Sequence, residues 1–157
     1  MKPLNYSIVF ILPLFLAACS NPTGNPLNQE ASFPASFDLT KMGLKVITSS
    51  INKKQATMST LYGNSAALKA AGDNTQYQPG ETFALVTWKQ KPDGHWFGAN
   101  IPGDLQSVGM LKTSGQAGAI TLNYQKYTGR SLTITADTVG NTAAMKFILS
   151  ERASVMP

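Results

Sequence analysis

The sequence predicts an α+β fold: an antiparallel β-sheet with a short inserted helix and a second helix at the C-terminal end. Three observations predict it. Short alternating or Thr-rich runs recur between turn signals from Leu44 to Gly129. A single alanine-rich stretch interrupts them, and only the last segment carries apolar residues at helical spacing.

LKVITSS (Leu44–Ser50) and QATMSTLYG (Gln55–Gly63) read as two strands joined by the turn-forming INKK. Asn64 is placed to cap a short helix, SAALKAAG, whose alanines favour helix and whose Gly72 can end it. YQPGE (Tyr77–Glu81) puts Pro79 and Gly80 at the centre of a type II turn, where Gly supplies positive φ. TFALVTWKQ (Thr82–Gln90) is apolar on both faces and predicts a central strand. KPDG (Lys91–Gly94) marks a reversal, and LQSVGMLKT and AITLNYQKYTG read as two further strands joined by the Gly-rich SGQAG. In the last segment Ala144, Phe147, Ile148 and Glu151 recur at helical spacing, with Ala143 widening the apolar face.

The 157 residues divide unevenly. MKPLNYSIVFILPLFLAAC opens on Lys2, runs through an apolar core from Ile8 to Leu16 and closes on small residues before Cys19, the layout of a signal peptide. LAAC (Leu16–Cys19) looks like a bacterial lipobox, which implies cleavage before Cys19 and lipidation of its thiol and new amino group. The expected organisation is a lipoprotein signal peptide over 1–18, a lipidated cysteine with a flexible, Pro- and Ser-rich tether over 19–36, and one domain over 37–157. The implied location is the cell envelope, facing the periplasm; Ser20 stands where an aspartate would resemble an inner-membrane retention signal, so the outer membrane is favoured. The membrane is then a partner through the lipid. A small ligand or a protein partner is left open.

Composition narrows the chemistry. Cys19 is the only cysteine, so no disulfide can close within the chain and no thiolate metal cluster can form. The basic residues are scattered, without an arginine cluster or a nucleic-acid module, and no nucleic-acid partner is expected. The acids are dispersed, the serines lack a G-x-S-x-G setting, and SGQAG lacks the lysine of a phosphate loop. Nothing in the chain supports an enzyme.

One stretch concentrates candidate binding residues. HWFGANIPG holds the only histidine, His95, beside Trp96 and Phe97. His95 could ligate haem or a metal if the two rings walled an apolar pocket, with Trp88 nearby and Tyr62 and Tyr77 as polar rims. The alternative is architectural: a histidine past a hairpin tip faces water, while Trp96 and Phe97 anchor the hairpin to the core. The methionines Met42, Met58, Met110, Met145 and Met156 read as gap-fillers rather than soft metal ligands.

Two stretches resemble the cytochrome P460 family. TMSTLYGNSAALKAA carries a strand ending in Tyr62–Gly63–Asn64 and leading into a short helix with Ala67, and YQPGETFALVTWKQ opens the next strand with Tyr77, Pro79 and Gly80. The resemblance implies the sheet-and-helix scaffold and a haem held covalently by C-x-x-C-H near the C-terminus. This chain has no cysteine or histidine after His95, so a covalent c-type haem is excluded as an expectation, and non-covalent haem near His95 is the remaining way to carry one. The family's lysine cross-link to the haem matches Lys89, Lys91 and Lys126 by residue type alone.

Overall fold

A computed structural model describes residues 27–73, 76–136 and 138–154. Cys19, the signal peptide and Met156 lie outside the described residues. The strands are β1 (Lys45–Asn52), β2 (Thr57–Gly63), β3 (Thr82–Pro92), β4 (Asn100–Gln116), β5 (Ala119–Thr128) and β6 (Thr133–Ile134); the helices are α1 (Ser65–Asp73) and α2 (Asn141–Ser150). All six strands form one antiparallel sheet in chain order, β1-β2-β3-β4-β5-β6. Short turns join every pair of neighbours except β2 and β3, whose connection carries α1. The α+β expectation holds, with more strand than helix.

β3 lies inside the sheet, between β2 and β4, as its two apolar faces require. Its alternate residues enter two different cores. Ala84, Val86 and Trp88 face one way, with Val108, Met110, Leu105 and Leu132. Phe83 faces the other, with Leu61, Leu111, Ile47 and Ile148, beneath α1 and α2. α1 turns alanines 67, 70 and 71 to the sheet and comes close enough that a Cβ on Gly63 would lie 2.8 Å from the Ala67 Cβ. α2 buries Ile148 but ends at Ser150; Glu151, expected in its helical stripe, is already extended. Beyond it the chain is tied down by Ser154 N–H to the Ile47 carbonyl, 2.9 Å.

The first core is closed by residues expected in the flexible tether, and that boundary is corrected from residue 27 onward. The Trp88 indole donates to the Ala31 carbonyl (2.9 Å), Leu105 N–H donates to the Glu30 carbonyl (3.2 Å), and Phe33 and Phe37 pack on the sheet face. Lys91 pairs with Glu30 at 2.7 Å and holds that carboxyl below its usual range. The segment has no helical or strand periodicity. Its aromatics are nevertheless apolar surface, and an uncovered sheet face is the place to bury it.

β4 is longer than LQSVGMLKT suggested, because Asn100–Gly103 pairs with the far end of β3: Pro92 opposes Asn100 and Gln90 opposes Pro102. Two register irregularities around Trp88 accommodate this extension. SGQAG contributes only Ala117–Gly118 as a two-residue turn, with Gly118 at φ +88°. β6, a two-residue edge strand, adds to the strands expected from the sequence and comes from the alternating LTIT.

Candidate functional site

The helix-covered face carries a polar feature made entirely by strand register. Ser50 pairs with Ser59, Ser59 with Thr87, Thr87 with Ser107, and Ser107 with Thr128. Side chains of paired residues point to the same face, so one rung across five strands presents five hydroxyl-bearing residues, all half-buried. Ser59 and Thr87 are hydrogen-bonded through their hydroxyls at 3.0 Å. Over this row, the first turns of α2 present Ala143 and Ala144, too small to reach the sheet. A groove of about 750 Å³ is left, floored by Ser50, Ser59, Thr87 and Leu85, walled by Phe147 and rimmed by Lys53 and Lys54. Hydroxyls can donate and accept, the leucine and phenylalanine offer a small apolar surface, and the lysines supply positive charge at the mouth.

A second groove, of about 630 Å³, lies at the other end of α2, between Tyr77, Leu122, Leu149 and Arg152. The Tyr77 hydroxyl donates to the Leu149 carbonyl near the end of α2, and its ring meets Phe83 edge-on with centroids 6.1 Å apart. Close by in sequence, Glu81 is almost wholly buried. Its Oε1 accepts Gln78 N–H at 2.9 Å while Oε2 has no partner, and burial pushes the carboxyl pKa up against the lowering effect of that hydrogen bond. Burial likewise raises the phenols of Tyr62 and Tyr124.

The candidate residues read from sequence do not converge. Trp88 is buried in the first core, where Tyr62 packs at its margin; Tyr77 packs on the second. His95, Trp96 and Phe97 occupy the β3–β4 loop and face solvent, with Trp96 72% exposed and Phe97 fully so. The aromatic wall around His95 and the anchoring of Trp96 and Phe97 to the core are therefore both corrected. The physical reason is that hydrogen bonds within the loop, none of them to an aromatic side chain, suffice to close it: His95 N–H bonds the Asp93 carboxylate (2.8 Å), Asp93 N–H the Ala99 carbonyl (2.9 Å) and Ala99 N–H the Trp96 carbonyl (3.1 Å), with Gly98 at φ +79°. Lys89, Lys91 and Lys126 share no site: Lys89 is exposed, Lys91 pairs with Glu30, and Lys126 sits on the rung beside Gly109. Met110 is buried in the first core and Met145 packs on the second, as gap-fillers do, while Met42 is exposed. Among the described residues, no group of three His, Cys, Asp or Glu side chains could hold a metal.

The hydroxyl row was missed in sequence because each serine or threonine is unremarkable in its own strand. Only the pairing aligns them. The available signal was the recurrence of serine or threonine in each of TSS, TMST, VTW and LQSV, which becomes a row once the register is known.

Fold and groove together define a small sheet-and-helix domain with an open polar site under its C-terminal helix. Residues 42–144 match the family model for cytochrome P460, and the chain belongs to that family. No curated protein sequence matches it significantly. The structure explains the elements on which the resemblance was read. The Asn64 side chain accepts Ala67 N–H at 3.0 Å to cap α1, accepts Thr82 N–H at 3.3 Å, and donates to the Gly80 carbonyl at 2.9 Å. One amide thus joins the helix start to the Pro79–Gly80 turn and to the first residue of β3, and Gly80 takes the expected positive φ, +89°.

Proposed function

We propose that this chain is a lipid-anchored cell-envelope protein whose cytochrome P460 domain is a non-catalytic binding module. The observation that carries the reading is the groove under α2, lined by hydroxyl, amide, ammonium and hydrocarbon groups. A cytochrome P460 domain implies haem, and these groups do not fit one. No imidazole, thiol or thioether lines the groove to ligate iron, and thioether attachment needs thiols that residues 20–157 do not supply. His95 stands on an exposed loop without apolar walls. What the groove suits is a small polar molecule, hydrogen-bonded by Ser50, Ser59 and Thr87 and attracted, if anionic, by Lys53 and Lys54.

The anchor rests on sequence: the apolar run ending in LAAC makes Cys19 the lipidation site, and Ser20 in place of an aspartate favours the outer membrane over the inner. The cofactor reading is tested by purifying the full chain from cells supplied with haem and recording its absorbance. The expected result is no Soret band beyond that of loosely carried haem. A band that survives purification and disappears in His95→Gln would overturn the reading and restore haem chemistry to the loop.

A further inference from the structure

The β3–β4 loop leaves two large aromatic side chains in solvent, and the course of the N-terminal segment says what lies next to them. The Ala31 carbonyl accepts the indole N–H of Trp88; three residues earlier, the Asn28 amide donates to the Pro102 carbonyl at 2.6 Å. Pro102 pairs with Gln90, closer to the loop than the Trp88–Leu105 pair, and the hairpin ends at Pro92–Asn100. Residues 28–32 form a turn, with the Ser32 hydroxyl donating to the Asn28 carbonyl at 2.8 Å, and that turn sits against the loop-bearing half of the β3–β4 hairpin. Leu27, 70% exposed and the first described residue, lies beside Ser32, Phe33, Pro34 and Arg130, the last of which is in the turn after β5 at the same end of the sheet. Cys19 lies eight residues before Leu27, so even a fully extended chain places it within about 30 Å. A lipid on Cys19 thus tethers the domain from the loop-bearing end of the sheet.

That end is basic as well as aromatic. The β1–β2 turn carries exposed Lys53 and Lys54 and lies beside the β3–β4 hairpin, with Gln90 N–H donating to the Ala56 carbonyl at 2.7 Å. Exposed Arg130 follows β5 on the same side, its guanidinium 3.5 Å from the Gln29 carbonyl. Trp rings settle at the boundary between headgroups and acyl chains, and cations are drawn to anionic headgroups. A tip of Trp96 and Phe97 beside Lys53 and Lys54, with Arg130 set further back at the level of Gln106, combines both preferences.

We infer that the β3–β4 loop is a membrane-docking element: Trp96 and Phe97 insert into the interface of the anionic bilayer that holds the Cys19 lipid, and the flanking cations rest on its headgroups. The lipid holds the protein near the surface; the loop fixes which way it faces. Docked so, the sheet presents its Ser50–Thr128 hydroxyl row at the bilayer end. This inference rests on the anchored reading above, and its test separates the two. The full chain and its Trp96→Phe variant are purified from membranes and reconstituted into vesicles of phosphatidylcholine and phosphatidylglycerol with brominated acyl chains. The acylation of Cys19 is read independently by mass. With two tryptophans in the chain, emission of the acylated wild type should fall by roughly half as Trp96 meets bromine, while the variant, reporting only buried Trp88, should keep its emission. An acylated chain whose emission is unchanged overturns docking and leaves the anchor standing, as does equal quenching in both proteins. A chain without acyl groups at Cys19 overturns the anchor, and docking with it.

Discussion

Trp88 and Trp96 belong to one hairpin and sit eight residues apart, yet they share almost nothing. Trp88 is 7% exposed, its indole N–H is satisfied by the Ala31 carbonyl, and its ring lies 6.2 Å from that of Phe33. Trp96 is 72% exposed in a loop closed by backbone hydrogen bonds. The difference is one of partners. Trp88 stands on a strand whose register points it at a sheet face that needs cover, and the N-terminal segment supplies the cover. Beyond Pro92 the hairpin has outrun the sheet's other layers, so a ring there has nothing to pack against. An aromatic residue beside a strand is thus structural or available for binding according to what lies over that strand, not according to its own type.

The largest effect should come from the buried member of the pair. Trp88→Ala removes core surface and leaves the Ala31 carbonyl without its donor, and should cost about 3–5 kcal/mol, read as a lower midpoint in urea unfolding. It should also loosen residues 27–37, seen as faster proteolysis there. If the variant lost stability without exposing that segment, the coupling between Trp88 and the N-terminal cover would be broken.

An intermediate effect is expected on the opposite face, where burial is polar. The folded protein holds the Glu81 proton more tightly than the unfolded chain, because burial raises its pKa. Stability from this group is then full below the ordinary glutamate range and is lost as pH rises through that range towards the raised value. Glu81→Gln keeps an acceptor for Gln78 N–H and cannot ionise. The melting temperature of the wild type should therefore fall progressively behind that of the variant as pH rises through and above the ordinary glutamate range. A constant difference across that range would show that Glu81 does not titrate differently on folding.

The smallest effects belong to the loop. Trp96→Ala and His95→Gln should each change stability by less than about 0.5 kcal/mol in the full chain away from lipid, measured by the same urea unfolding. A loss from Trp96→Ala approaching that from Trp88→Ala would mean that the loop packs on the domain in solution.

The sequence by itself determined the elements and most of their order. Periodicity marked β1, β2 and β3, the alanine run marked α1 after its Asn64 cap, and Pro79–Gly80 marked a turn whose positive φ the structure contains. These are local properties, set by the sterics and hydrogen bonding of neighbouring residues, and a linear string records them. The family resemblance was legible for a related reason: Asn64, Pro79 and Gly80 stand at junctions where few residue types fit.

Only the tertiary structure decided which face each residue joined and what covered it. The hydroxyl row from Ser50 to Thr128 exists because four strand pairings fall in one register, and a slip of one residue would have turned each hydroxyl to the opposite face. The segment from Leu27 to Ser36 looked like a tether because it lacks periodicity, but burial needs only apolar surface and an open face to receive it. The fates of Trp88 and Trp96 followed in the same way, since local chemistry sets the backbone path while burial depends on residues distant in the chain.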